Sequence, residues 1–344
     1  MFGAVVGIFS QDLAVDIGSS QLRIHQRQVG VVSEEACAVA VRTGRDGQRT
    51  VIRIGDAAMA LMERAPMGVE VIEPVRDAVV EDYEALEALL LHHVRHVHGR
   101  NRLLRPRMVV AIAHDATAIV RRAVRDSCES AGARDVHLVS RPVAAGLGSG
   151  LDVARASGHM ILDLGAGSTT ASVLSLGAVV EHRRLQHGAS WIEQKIQEEV
   201  LQRHGLLVGR PTAVRLKHEL ASAHRHTVPK ASLAAGRCAR RGVPRSVEVT
   251  TADLAHIVQR YATDVSAMLR SLLDAAPPEL ASDVLETRVV LTGGGGNLDG
   301  IEHAIGRATG LAIVRAPDPQ LATIRGASLL LEQRTYAQDT YAVL

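Results

Sequence analysis

Two short stretches of this chain combine residues that can grip an anion. The first reads Leu13-Ala14-Val15-Asp16-Ile17-Gly18-Ser19-Ser20, an apolar run followed by Asp, an apolar residue, Gly and two hydroxyls. The second, Ile161-Leu162-Asp163-Leu164-Gly165-Ala166-Gly167-Ser168-Thr169-Thr170, repeats the order. Glycine lets a backbone come close to a phosphate and turns successive N–H groups toward it, while Ser and Thr add hydroxyl donors. An Asp at the end of a strand can hold magnesium through the ion's water shell. One such turn is a weak signal; two in the same order predict two similar halves, each offering a phosphate-gripping hairpin to one nucleotide. A third run, Leu291-Thr292-Gly293-Gly294-Gly295-Gly296-Asn297, follows an apolar stretch and is predicted to open a helix, which suits the adenosine or phosphate side of a nucleotide.

These turns need strands that end at them and helices that begin after them. Short apolar runs alternate with helical patterns, as in a layered α/β protein. Strands are predicted over 13–17, 108–113, 136–139, 160–164, 171–176 and 289–292, and helices over 83–98, 116–131, 191–205, 211–222, 251–275 and 297–309. In the helix over 251–275, Leu254, Ile257, Val258, Tyr261, Val265, Met268, Leu269 and Leu272 recur at helical spacing and read as core.

With 344 residues, 47% of them hydrophobic, the chain is long enough for about two domains. Lys and Arg (39) nearly balance Asp and Glu (37), and aromatics are only 2%, so neither a charge field nor a stacking surface for nucleic acid is expected. Cys37, Cys128 and Cys238 are far apart and odd in number, which argues against disulfides and zinc and for a reducing, cytoplasmic setting. Residues 1–9 are apolar but too short to span a bilayer; they read as a first strand or as a short membrane-contacting tip. His92, His93, His96 and His98 read as a solvated helix face rather than a metal site, and Arg237, Arg240, Arg241 and Arg245 as a solvated rim or filament contact.

The three glycine-rich elements, in this order, resemble the superfamily of actins, sugar kinases and chaperone ATPases. Further segments are similar to the MreB family of bacterial actins: Ile72-Glu73-Pro74-Val75-Arg76-Asp77, Pro142-Val143-Ala144-Ala145-Gly146-Leu147-Gly148, Leu216-Lys217-His218-Glu219-Leu220 and Pro277-Pro278-Glu279-Leu280-Ala281-Ser282-Asp283. The last is specific to that family, and the match runs along nearly the whole chain. The resemblance implies an actin-like two-lobed α/β fold, built from duplicated ribonuclease-H-like domains with two smaller appended subdomains. The first lobe would take residues 1–144 plus 318–344, with its small subdomain at about 32–72; the second would take 145–317, with its small subdomain at about 185–248. It places Asp16 and Asp163 near magnesium and Gly18, Ser19, Ser20, Gly165, Gly167, Ser168 and Thr169 around the phosphates of ATP or GTP, with Thr169 also a candidate for catalysis. Lys217, Gly293, Gly294 and Gly295 would lie around the nucleoside, although Lys217 read by itself belongs to a solvated helix face.

The chain departs from this family at Ser140-Arg141, where related sequences carry two acidic residues and the second orients the water that attacks the γ-phosphate. A guanidinium cannot act as a base, whereas it can pair with phosphate oxygens. Binding is therefore expected to survive while hydrolysis is slow or absent. Val214 and Thr170 likewise stand where the family offers acids. Residues 99–107 set Leu103 and Leu104 among four arginines, a pattern suited to inserting into a lipid surface, and the family uses a hydrophobic loop there. The function implied is a nucleotide-dependent cytoskeletal protein that forms homopolymeric, paired protofilaments on the inner face of the cell membrane. These would guide cell-wall synthesis and rod shape together with membrane-anchored elongation proteins. The alternatives are a non-polymerising regulator of the same family and, with less support, a sugar-kinase-like phosphotransferase.

Overall fold

The computed structural model describes residues 12–76, 79–98, 105–224 and 228–332. Leu103, Leu104 and the apolar residues 1–9 lie outside them. Among the described residues, those up to Ser157, Leu174–Val180 and those from Leu321 onward form one compact unit; Gly158–Val173 and Glu181–Gln320 form a second.

The first unit begins with β1 (Leu13–Ile17), β2 (Gln21–Gln26) and β3 (Gly30–Ala36), continues through β4 (Val39–Thr43), β5 (Arg49–Ile54), α1 (Asp56–Met59) and β6 (Val69–Ile72), and then β7 (Val75–Arg76), β8 (Val79–Val80) and α2 (Tyr83–His98). It goes on with β9 (Arg107–Ile112), α3 (Ala118–Ser130), β10 (Asp135–Ser140) and α4 (Arg141–Gly148). Its main sheet has the order β10-β9-β1-β2-β3, with β1 antiparallel to β2 and parallel to β9. β1 is therefore the central strand, and all five of its residues are buried. Apolar residues fill both of its faces, as a strand covered on two sides requires. A smaller sheet, β5-β4-β6, packs with α1 around Ala38, Ala40 and Ala58.

The second unit holds β11 (His159–Leu164), β12 (Thr169–Ser175), β13 (Ala178–Leu185), α5 (Ala189–His204), β14 (Leu206–Leu207), α6 (Arg210–Leu220), β15 (Ala231–Cys238), β16 (Pro244–Thr250) and α7 (Thr251–Ala275). After them come α8 (Pro278–Thr287), β17 (Val289–Thr292), a 3-10 turn (Gly294–Asn297), α9 (Ile301–Thr309) and β18 (Ile313–Arg315). The tip of the β12–β13 hairpin, Leu174–Val180, belongs to the first unit. The main sheet runs β13-β12-β11-β17-β18. Written in order of appearance within each half, both main sheets are 3-2-1-4-5, with the first, fourth and fifth strands parallel. The repeated motif is thus the visible part of a repeated sheet. A second small sheet, β14-β15-β16, completes the half, and the last helix, α10 (Ala322–Glu332), returns to the first unit.

Four predicted elements, at 13–17, 83–98, 251–275 and 289–292, keep their bounds, and the others shift by a few residues. The helix predicted over 297–309 is a correction. The glycine run closes a 3-10 turn, Leu298 is extended, and α9 starts only after Gly300 in the left-handed region at φ 69°. Asp299-Gly300 is a turn dipeptide that stops a helix from running through it. A second correction concerns the histidines. His93 is fully buried, with Nδ1 3.0 Å from Ser33 Oγ, so it faces the core while His92 and His96 are exposed.

Within the first unit, α4 and α10 cross on glycines. A Cβ on Gly148 would collide with the Ala322 carbonyl and lie 2.6 Å from the Gly326 nitrogen, and one on Gly326 would collide with the Ala144 carbonyl. This close crossing anchors α4, whose first residue is Arg141.

Candidate functional site

Each half carries the same turn. Gly18 N donates to the Gln21 carbonyl at 3.0 Å, and Gly165 N donates to the Ser168 carbonyl at 3.0 Å. In both, an Asp two residues earlier is the penultimate residue of the central strand: Asp16 is 1% exposed and Asp163 9%. Gly18, Ser19 and Ser20 in the first turn, and Gly165, Gly167 and Ser168 in the second, are half-buried, so both turns reach solvent. The second turn is braced by the start of α5, where Ala189 N donates to the Gly165 carbonyl at 3.0 Å and Ser190 N to the Ala166 carbonyl at 2.9 Å. Arg184 Nη1 lies 3.4 Å from Ser168 Oγ and brings a cation to that turn, a residue that the motif did not reveal.

The third glycine element joins the second half. β17 runs parallel to β11, with Thr292 beside Asp163. Gly293 then turns with φ 83°, and its N–H donates to the Pro319 carbonyl at 2.8 Å. A Cβ there would strike Asp163 Oδ1 and crowd the Leu164 carbonyl, so glycine is required on steric grounds as well as by φ. Gly294 is exposed and Gly295 half-buried, leaving this edge of the turn open.

Two of the predicted site residues have partners inside the second unit. Thr169 is fully buried; its hydroxyl donates to the His187 carbonyl at 2.7 Å and lies 2.7 Å from Tyr261 Oη. Its proton is given to the His187 carbonyl and one lone pair faces Tyr261, so in this arrangement it braces the turn from inside the core. Tyr261 stands on α7, which starts with a capping box between Thr250 and Asp253; burial pushes its phenol pKa up. Lys217 is not on a solvated face. Its Nζ lies 2.5 Å from Glu193 Oε1, and Arg210 Nε lies 3.3 Å from Glu193 Oε2, so two cations neutralise one buried carboxylate.

Arg141 is the first residue of α4, with Pro142 behind it. The N-terminal end of a helix favours anions, so a guanidinium there needs a partner. Nη1 finds Asp16 Oδ1 at 2.5 Å and the Ile17 carbonyl at 3.3 Å. The fully buried carboxylate at the root of the first turn thus already carries a cation. The resemblance implies magnesium at this position, and the residues do not fit it. A hydrated dication would have to share this one buried carboxylate with a guanidinium already bonded to it, against the repulsion of like charges. Among the described residues no cluster of three or more His, Cys, Asp or Glu side chains comes together. The three cysteines are buried and free, and burial pushes the Cys37 and Cys128 thiols up to about 12.

Comparison with known proteins bears on the family and the fold. The family model described as MreB/Mbl protein matches residues 10–339. The cell shape-determining protein MreB of Escherichia coli (strain K12) is 35% identical, covering 95% of this chain and 94% of that protein. The cell shape-determining protein Mbl of Bacillus subtilis (strain 168) is 25% identical over 94% of this chain and 97% of its own. Among solved structures, MreB 5 of Spiroplasma citri bound to AMPPNP has a TM-score of 0.87 at 21% identity, covering 94% of this chain and 96% of that one. The MamK double helical filament has a TM-score of 0.77 at 21% identity, covering 94% and 100%. The two structural likenesses establish a shared, actin-like fold.

Proposed function

The chain belongs to the MreB/Mbl family, and on that premise we propose that it is an actin-like cytoskeletal protein that binds ATP or GTP at its two hairpin turns, polymerises and helps to set cell shape. The observation that carries the nucleotide is the duplicated turn: an Asp, a Gly two residues on, and the same 3.0 Å backbone bond from Gly to the third residue after it. Oriented N–H groups and hydroxyls at such turns serve phosphate oxygens. The glycine run from Gly293 to Gly295 sits against Asp163 and supports a nucleoside-binding role beside the second turn. The relatives support the rest, since one neighbour was solved with AMPPNP and another as a double helical filament.

Hydrolysis is weakened in this reading. At Arg141 the chain presents a permanent cation, bonded to Asp16, in place of a group that accepts a proton from water. Membrane attachment is proposed through Leu103 and Leu104, and wall-synthesis partners on the membrane follow from the family; filaments on the inner face of the membrane would then guide rod shape. No helix among the described residues is long and apolar enough to cross a membrane.

The test is equilibrium binding of ATP and GTP to ligand-stripped protein, followed by sedimentation and electron microscopy with and without nucleotide. Nucleotide-dependent filaments are expected. Binding without polymer would favour the regulatory alternative, and absence of binding to either purine would overturn the reading.

A further inference from the structure

The cation at Asp16 has a consequence for what the site accepts. Asp16 is the penultimate residue of the central strand of the first unit and is 1% exposed, while the Gly18–Ser20 turn immediately after the strand is half-buried and open to a ligand. A buried carboxylate beside a phosphate-binding turn would repel an incoming phosphate chain unless a cation stood with it. Mobile divalent ions commonly serve that purpose, since they bridge carboxylate and phosphate oxygens through their water shells. Here the cation is part of the chain. Arg141 Nη1 lies 2.5 Å from Asp16 Oδ1 and 3.3 Å from the Ile17 carbonyl, one residue before Gly18. Its side chain is 22% exposed, so the guanidinium is held from below by the strand end and still reaches solvent.

We propose that Arg141 takes the place of a divalent cation at the first turn, so that this chain binds metal-free nucleoside di- or triphosphates. The proposal rests on the nucleotide reading above and adds which form of the nucleotide is taken. Three physical points carry it. First, the pair is neutral, so the turn's N–H groups and hydroxyls are offered to phosphate without an opposing charge. Second, a guanidinium suits phosphate oxygens, with planar, charge-assisted donors. Third, Arg stays protonated throughout the usable pH range, so the substitution does not depend on pH. Position is enforced by packing, because α4 carries Arg141 and crosses α10 where Gly148 and Gly326 allow backbone contact.

The experiment is isothermal titration calorimetry of the full chain, stripped of nucleotide, with ADP and ATP in excess EDTA and again in excess magnesium. The wild type is expected to bind within about threefold equally in the two media, or more tightly in EDTA. Arg141→Glu, which puts a second carboxylate beside Asp16, is expected to lose about tenfold or more when magnesium is removed. As a second readout, the wild type loaded with ADP is expected to leave the electron paramagnetic resonance signal of added manganese undiminished. A wild type that loses about tenfold or more in EDTA, or that sequesters one manganese ion per chain, overturns the proposal. Both measurements are made on the wild type, so they decide the matter even where Arg141→Glu fails to fold. Binding in neither medium would instead strike the nucleotide reading itself, whereas metal-dependent binding would strike only the role given to Arg141.

Discussion

Asp16 and Arg141 are 125 residues apart in the chain and meet at 2.5 Å. The contact places a guanidinium at the head of α4, where the family resemblance implies a proton-accepting group. Phosphate release by the wild type is expected to be barely above background, and Arg141→Glu is expected to raise it about tenfold or more, general-base catalysis contributing roughly 10²–10⁴. A malachite-green phosphate assay on both proteins checks this. Brisk turnover by the wild type that the variant leaves unchanged would refute a role for Arg141 in slowing hydrolysis.

The α4–α10 crossing has no room for a side chain at Gly326. Gly326→Ala should force the helices apart and destabilise the chain by about 1–3 kcal/mol, as overpacking does elsewhere. Urea unfolding would measure it, with Leu329→Ala on the exposed side of the same helix as a control expected to fall within about 0.5 kcal/mol of the wild type. Equal effects from the two would show that the crossing is not tight.

Lys217 and Glu193 form a partly buried pair reinforced by Arg210. Lys217→Met and Glu193→Gln should each destabilise, and the double variant should cost less than the sum, with a coupling of about 1–3 kcal/mol. A double-mutant cycle by chemical denaturation gives the number. Strict additivity would mean that the pair contributes nothing beyond its separate packing.

Burial lowers the His93 pKa to about 4, and the neighbouring His92 and His96 push the same way. In the unfolded chain it titrates near 6.5, so between these values the unfolded state binds more protons and stability falls as pH falls. The contribution of neutral His93 is fully present above about pH 6.5 and is lost on the way down to about pH 4, on the order of 2 kcal/mol. His25, His114 and His218 are also lowered, chiefly by burial, and add with the same sign. Stability measured from pH 7.5 to 5 should decline, and His93→Phe combined with Ser33→Ala should flatten the decline. An unchanged slope would clear His93 of the effect.

The double variant Leu103→Ser, Leu104→Ser is expected to lose flotation with anionic liposomes. Unchanged flotation would remove these leucines from the membrane surface.

Much of the architecture was legible because its signals are local. The strand before Asp16 is apolar on both faces and ends at a glycine, so its bounds of 13–17 follow from neighbouring residues alone. The twenty-five-residue helix Thr251–Ala275 announces itself by its apolar spacing. The repeated Asp-x-Gly turns anticipated two similar halves, and the two main sheets share one strand order. Two features run against the reading from the sequence: the turn dipeptide Asp299-Gly300 delays the next helix, and the histidine row does not reveal that His93 faces inward.

The order of residues along the chain thus settled the element types, the duplication and the glycine turns, since these depend on backbone preferences and on spacings of a few residues. Which side chains neutralise one another was decided only in three dimensions. Arg141 could be read from its position as a partner for phosphate, yet its contact is with Asp16. Thr169 belongs to a phosphate turn by motif, yet its hydroxyl is held by His187 and Tyr261. Lys217 looked solvated, yet it neutralises Glu193. In each case a buried polar or charged group had to find a partner far along the chain, and burial, which makes an unpaired group costly, exists only once the chain has folded.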